Sequence, residues 1–330
     1  MISAATPDAP APAMRAPGHA LAVTLVVVAV LLWSTSFAAT KVSLHVLPPM
    51  TVAVLRFLVS LAALGAVRWA STSREVPTPG DLGRMVAGGL LGITAYFAAE
   101  NYGLKFATAT DAALVVGAFP AIAVALEALL MRAWPAWNKL VGIVAATTGV
   151  AFIVGNHPAG MAPERPLGLA LMVASGVVWA LYNVVTRGIA RRYSMWTLMF
   201  YQTAAGVVGL APLALMESSQ WRAVPAAGWL AVLYLGLTCS LVAYFLYALG
   251  LRTIEASSAV TLMNLVPVFG VAFSIALLNE VIASRQILGG VIVLSGAALA
   301  VRARPRGGAA GSKREGAPGA TSACSTAADA

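Results

Sequence analysis

The chain has 330 residues, of which 60% are hydrophobic and only 10% charged, with a formal net charge of +9. A soluble domain carries about 25% charged residues. At a mean hydropathy of +0.85 the chain cannot cover a water-facing surface, so an all-α integral membrane protein in contact with a lipid bilayer is expected. In a soluble protein the positive charge would point to nucleic acid. Here it reads as basic cytoplasmic loops beside an anionic leaflet, with no nucleic-acid partner.

Residues 1–19, rich in Ala and Pro, are expected to form a disordered cytoplasmic N-terminus. A bilayer core takes about 20 apolar residues per helix. By that measure the chain holds ten transmembrane helices: 20–44, 50–70, 84–104, 107–131, 137–155, 167–190, 194–216, 227–250, 256–279 and 284–303. The first is longer than a secretory h-region and has a counterpart deep inside the chain, so it reads as a retained helix. Pro48-Pro49, the stretch from Arg74 to Asp81 and that from Pro158 to Pro166 separate neighbours, and several links are short enough to require antiparallel hairpins. Residues 304–330 read as a disordered basic cytoplasmic tail.

Half of this chain repeats the other half. Gly103-Leu104-Lys105 recurs 147 positions on as Gly250-Leu251-Arg252, and Pro120, Gly142 and Gly149 recur at the same offset as Pro267, Gly289 and Gly296. Ala95-Tyr96-Phe97 matches Ala243-Tyr244-Phe245, and Trp33 with Thr40-Lys41 matches Trp179 with Thr186-Arg187. A proline and three glycines in one register mark two homologous halves, residues 20–155 and 167–303, joined by a periplasmic linker at 156–166. Five helices per half is an odd number, so the second half enters the membrane from the opposite side. Placing the N-terminus in the cytoplasm leaves only Lys41, Arg56, Lys105, Arg165, Arg222 and Arg285 outside, 6 of the 21 Lys and Arg. The positive-inside rule therefore puts both termini in the cytoplasm. Inverted repeats of this kind build secondary transporters, with the solute site near the midplane between the halves.

At this point the motifs resemble a known family. Trp33-Ser34-Thr35-Ser36-Phe37 followed by Lys41, then Pro48-Pro49-Met50-Thr51 and Leu55-Arg56-Phe57, look like the first two helices of the EamA family in the drug/metabolite transporter superfamily. Glu100 to Lys105 leading into Thr108-Ala109-Thr110, and Asn279-Glu280 with Gln286 and Gly289-Gly290, look like it too. The resemblance covers about residues 20–303 and implies ten helices, N-in and C-in. It also implies export of small metabolites, typically amino acids or related compounds, across the cytoplasmic membrane. One departure is visible: the acidic residue that usually follows the fourth helix is absent, with Arg132-Ala133 opposite Asn279-Glu280.

Polar groups inside the hydrocarbon are costly and face the bundle interior or a wet cavity. On the first helix Trp33, Ser36, Phe37 and Thr40 share one face, as do Trp179, Tyr182, Asn183 and Thr186 on the sixth. These faces could line a pocket that stacks on and hydrogen-bonds an amphipathic solute, or could serve helix packing alone. Tyr96, Glu100 and Asn101 on the third helix, Tyr244 and Tyr247 on the eighth and Asn264 on the ninth join the candidate substrate-binding set. Arg56, Glu100 and Asp111 are a candidate charge pair or proton site; the alternative is a structural Arg56–Glu100 pair. Pro120 and Pro267 should kink the fourth and ninth helices and free carbonyls that could bond a solute or water, with Asn264 a candidate ligand for the solute. Glu127 is expected to pair with Arg132.

No Walker loop, zinc motif or Ser/His/Asp set occurs, and His19, His45 and His157 are scattered. No cofactor, metal or catalytic residue is therefore expected. The rival readings are an importer or exchanger of a nucleobase or sugar phosphate, an integral-membrane enzyme, and a receptor or scaffold.

Overall fold

The computed structural model describes residues 17–70, 75–132, 134–154, 163–189, 192–254 and 262–302. Most of both expected disordered termini and residues 156–162 of the expected linker lie outside them. The described residues are all-helical. In chain order the helices are α1 (His19–Leu44), α2 (Pro49–Ala70), α3 (Pro79–Phe106), α4 (Ala109–Val116 and Phe119–Leu130), α5 (Trp137–Val154), α6 (Arg165–Thr186), α7 (Met195–Met216), α8 (Ala226–Gly250), α9 (Val266–Leu278) and α10 (Ser284–Arg302). Among the described residues 7 helices are long and apolar enough to cross a membrane, or 8 if bent α4 is one span. The remaining two, α9 and α10, are shorter apolar helices. The start expected for the ninth span, 256–261, lies outside the described residues.

Local chemistry sets the helix starts. Thr78 accepts the Asp81 N–H at 3.3 Å and Pro79 occupies the first turn of α3. Thr108 and Asp111 form a reciprocal capping box at α4. Ser194 caps α7. The two halves of α4 meet at 45° around Gly117 and Ala118, and Pro120 opens the second half. Pro267 likewise lies in the first turn of α9, after a turn at Asn264 and Leu265. A proline lacks the N–H an interior position needs, so it sits where that donor has no helical partner.

Packing displays the repeat. Along the α5–α10 contact a methyl on Gly142 would meet Gly296 and Ala300, and one on Gly149 would meet Gly289 and Val293. As one index rises the other falls, so these two equivalent helices cross antiparallel, backbone on backbone, through the four repeated glycines. Gly103 of α3 rests on Gly168 and Met172 of α6, and Gly250 of α8 rests on Ala22 and Val26 of α1. The offset of 146 turns Ala22 into Gly168 and Val26 into Met172, so the same contact is made twice.

The outer faces of the helices suit lipid. Val208, Leu230 and Val291 are more than half exposed along the sides. Trp69, Trp134 and Trp137 stand out at one end, and Trp221 and Trp229 at the other. Tryptophan collects at the two membrane–water interfaces because its ring is apolar and its N–H polar.

Two features escape helical periodicity. Leu90–Ala95 in α3 and Tyr234–Val242 in α8 are π-helical. The first, moved by 147, falls within the second, so the repeat preserves the irregularity. Each wide turn re-aims the residues after it.

Candidate solute cavity

The repeat places Trp33 on α1 against Tyr244 and Tyr247 of α8, with ring centroids 5.0 and 5.3 Å apart. In the other half Trp179 on α6 lies 5.6 Å from Tyr96 of α3 and stacks on Tyr182 at 5.1 Å. The first and sixth helices therefore do not present their aromatic faces to one another. Each crosses to the opposite repeat, because the inverted halves interleave. Offset-stacked and edge-on ring pairs contribute about 0.5–1.5 kcal/mol beyond area burial.

Between the two aromatic groups lies a cavity of about 340 Å³. Six aromatic rings line it: Phe57, Phe97, Trp179, Tyr182, Tyr244 and Tyr247. Gln202, Thr203 and Ser240 supply polar groups, and Gly92 of the α3 π turn leaves room for the Tyr182 ring. Among the described residues no charged side chain belongs to the lining. The walls run down to Met195, the first residue of α7, and Leu251, just past the end of α8. The cavity thus reaches one end of the bundle.

Of the expected binding residues, Trp179, Tyr182, Tyr244 and Tyr247 are in the wall. Trp33 is behind it: its ring backs Tyr244 and its N–H donates to the Cys239 carbonyl at 3.1 Å. Tyr96 backs Trp179 and donates its hydroxyl to Glu100 Oε1 at 3.0 Å. The others are engaged elsewhere. Ser36 bonds the Trp33 carbonyl of its own helix, and Asn183, on an exposed face, bonds that of Trp179. Phe37 is buried against Gly270, and Asn101 donates to the Pro49 carbonyl. Asn264 is half-buried and is not among the cavity-lining residues.

The charge cluster divides. Arg56 is buried, with Nε and Nη2 donating to Ser240 Oγ at 3.1 and 2.9 Å and the guanidinium 4.6 Å from the Phe97 ring centroid. Glu100 feels its charge, but no salt bridge joins them. Asp111 is not part of this group. It accepts Arg165 Nη2 and Nε, both at 2.7 Å, and Gln286 Nε2 at 2.7 Å, since the α4 start lies beside the starts of α6 and α10. Glu127 bonds Arg187 at 2.8 Å rather than Arg132, whose backbone turns to a positive φ of 48° as α4 ends.

Sequence reasoning missed Phe57, Phe97, Gln202, Thr203 and Ser240 as wall residues. It also missed a layer of ties at the end away from Met195 and Leu251. There Lys41 Nζ donates to the Leu104 and Ala107 carbonyls, both at 2.6 Å. Glu217 and Glu280 accept backbone N–H groups of α2 and α4. At the cavity end Arg192 and Tyr193 bond Asp81, and Glu75 accepts the Ser194 N–H at 2.8 Å. Burial pushes the Glu75 carboxyl up, but hydrogen bonds from Ser194 and Thr197 and the charge of Arg68 outweigh it and hold it below the ordinary range.

The family model described as EamA-like transporter family matches residues 20–155 and 166–302. The chain is 30% identical over 275 residues to an uncharacterized transporter of Archaeoglobus fulgidus, an alignment covering 82% of this chain and 94% of that one. It is 26% identical over 287 residues to a "probable terminal-alkyne amino-acid exporter" of Streptantibioticus cattleyicolor, covering 84% and 92%. It is 27% identical over 281 residues to a "probable amino-acid metabolite efflux pump" of Escherichia coli, covering 82% and 92%. With the matched glycine crossings and mirrored aromatic pairs of its two halves, this chain belongs to the EamA-like transporter family.

Proposed function

We propose that the protein is a secondary-active transporter of the cytoplasmic membrane, both termini inside, that exports small metabolites such as amino acids or related compounds. The observation that carries this reading is the 340 Å³ cavity, walled by helices of both repeats and reaching one end of the bundle. Lys and Arg are concentrated at the end it reaches, so its mouth faces the cytoplasm by the positive-inside rule. Exchange of conformations between matched halves would then turn the mouth outward. Two relatives bear amino-acid exporter or efflux names, which supports the substrate class.

Aromatic walls with scattered hydroxyl and amide groups suit a solute with an apolar part and a few hydrogen-bonding atoms. A sugar phosphate is disfavoured, because no Lys or Arg among the described residues lines the cavity to meet its charge. Glu100, linked to the wall through Tyr96 and Trp179, is the candidate for proton coupling.

The test is counterflow in liposomes containing the purified protein, with a labelled panel of amino acids, nucleobases and sugar phosphates, with and without a pH gradient. Saturable flux of amino acids is expected. Flux of sugar phosphates alone would reject the substrate reading, and a folded preparation that moves nothing would favour a receptor.

A further inference from the structure

Two carboxylates do the same local job at the end of the bundle away from the cavity mouth. Glu217, after α7, accepts the N–H groups of Met50 and Thr51 at 3.1 and 2.9 Å, so it holds the first turn of α2. Glu280, after α9, accepts the N–H groups of Ala109 and Thr110 at 2.9 and 2.8 Å, so it holds the first turn of α4. Asn279, in the left-handed conformation at φ 54°, turns the chain toward α4. In each case a second-repeat anion meets the unpaired donors and positive dipole end of a first-repeat helix.

The repeat maps α2 onto α7 and α4 onto α9, which asks what holds the mirror-image ends. For α7 the answer is Glu75, which accepts the Ser194 N–H at 2.8 Å. The α2–α7 pair is therefore tied at both ends at once. For α9 the mirror of Glu280 is position 133, which the sequence fills with Ala. Gln286, which steadies Asp111 beneath the same turn of α4, has Lys139 as its counterpart. Glu127, on the last turns of α4, is already bonded to Arg187. The sequence thus offers no carboxylate at the position in the first repeat that corresponds to Glu280.

We propose that Glu280 is a one-sided latch: it clamps the α4 start to the α9 end, biases the resting protein toward the state open at the Met195–Leu251 end, and releases Ala109 and Thr110 when the cavity turns. The inference rests on the alternating-access reading above. Lys41 holds the neighbouring α3 end through the Leu104 and Ala107 carbonyls, so the latch closes against a fixed wall. A solute arriving from the mouth side finds the cavity open by default. One arriving from the other side meets a clamped end.

The test uses the full chain in lipid nanodiscs, with nitroxide labels at Lys105 and Val281, both exposed and on either side of the latch. The wild type is expected to give one dominant short distance. Glu280→Gln keeps size but loses charge, and should raise the long-to-short ratio about tenfold, as weakened charge-assisted bonds imply. Ala109→Pro, at a first-turn position that accepts proline, deletes one of the two donors and should shift the ratio less in the same direction. Glu217→Gln should add no long distance.

An unchanged distribution in both latch variants, with thermal stability near wild type, would overturn the proposal. So would an equal shift from Glu217→Gln. A latch shift in a protein that moves no solute in liposomes would keep the latch and reject transport, whereas flux without the shift would reject the latch alone.

Discussion

Trp33 and Trp179 occupy equivalent positions, yet only Trp179 faces the cavity. Its ring is stacked on Tyr182 and leans on Tyr96, so it can form a wall without collapsing into the space. Trp179→Ala removes that wall. Solute affinity should fall about tenfold, the size of one lost aromatic contact, with expression much less affected; equal losses of both would mean the ring serves packing alone. Glu100→Gln keeps an acceptor for the Tyr96 hydroxyl but not the charge. Transport by that variant should lose its dependence on a pH gradient, and a preserved dependence in folded protein would reject proton coupling through Glu100.

These single residues were partly legible. Aromatic and polar groups at helical spacing pointed to Trp179, Tyr182 and Tyr244. Asn183 shares their spacing but bonds its own helix on an exposed face, and nothing in spacing separates the two cases. Ser240 went unnoticed because a serine in an apolar run looks like packing until Arg56 is seen to bond it.

At the scale of elements, the glycine register was the strongest sequence signal, and the structure gives its cause. Gly142, Gly149, Gly289 and Gly296 lie where α5 and α10 bring backbone against backbone. Gly149→Leu drives a side chain into Gly289 and Val293. Overpacking of this kind costs about 1–3 kcal/mol, so the variant should unfold at a temperature several degrees lower in detergent. A wild-type melting curve would contradict the crossing. The break at Pro120 was legible too, since a missing N–H disrupts a helix interior, whereas Pro267, expected mid-helix, lies in the first turn of α9.

The π turns could not be read. One added residue rotates the downstream face by about 100°, so a strict 3.6 period misassigns the positions beyond it. Phe97 reaches the cavity while Tyr96, the expected wall residue, stands behind Trp179. The buried ties of Asp111 to Arg165 and Gln286 were hidden for another reason. Their positions, 111, 165 and 286, are brought together only where the starts of three helices, α4, α6 and α10, meet.

For the whole molecule, composition and the repeat pointed to the class, and counting helices pointed to the inversion. The antiparallel α5–α10 crossing and the mirrored Trp–Tyr pairs are what an inverted duplication produces. The location of the mouth depended on the third dimension, because the same sequence can in principle open at either end. Here the Glu280, Lys41 and Asp111 ties gather at one end while the walls run to Met195 and Leu251 at the other.

The measurement that bears most directly on this account is amino-acid counterflow in liposomes by wild type and Ala248→Trp. Ala248 lines the cavity near its mouth, and an indole there fills space the solute needs. Saturable flux by wild type, cut at least tenfold in a variant with unchanged melting temperature, is the predicted result. Undiminished flux through the filled cavity would contradict it and place the solute path elsewhere.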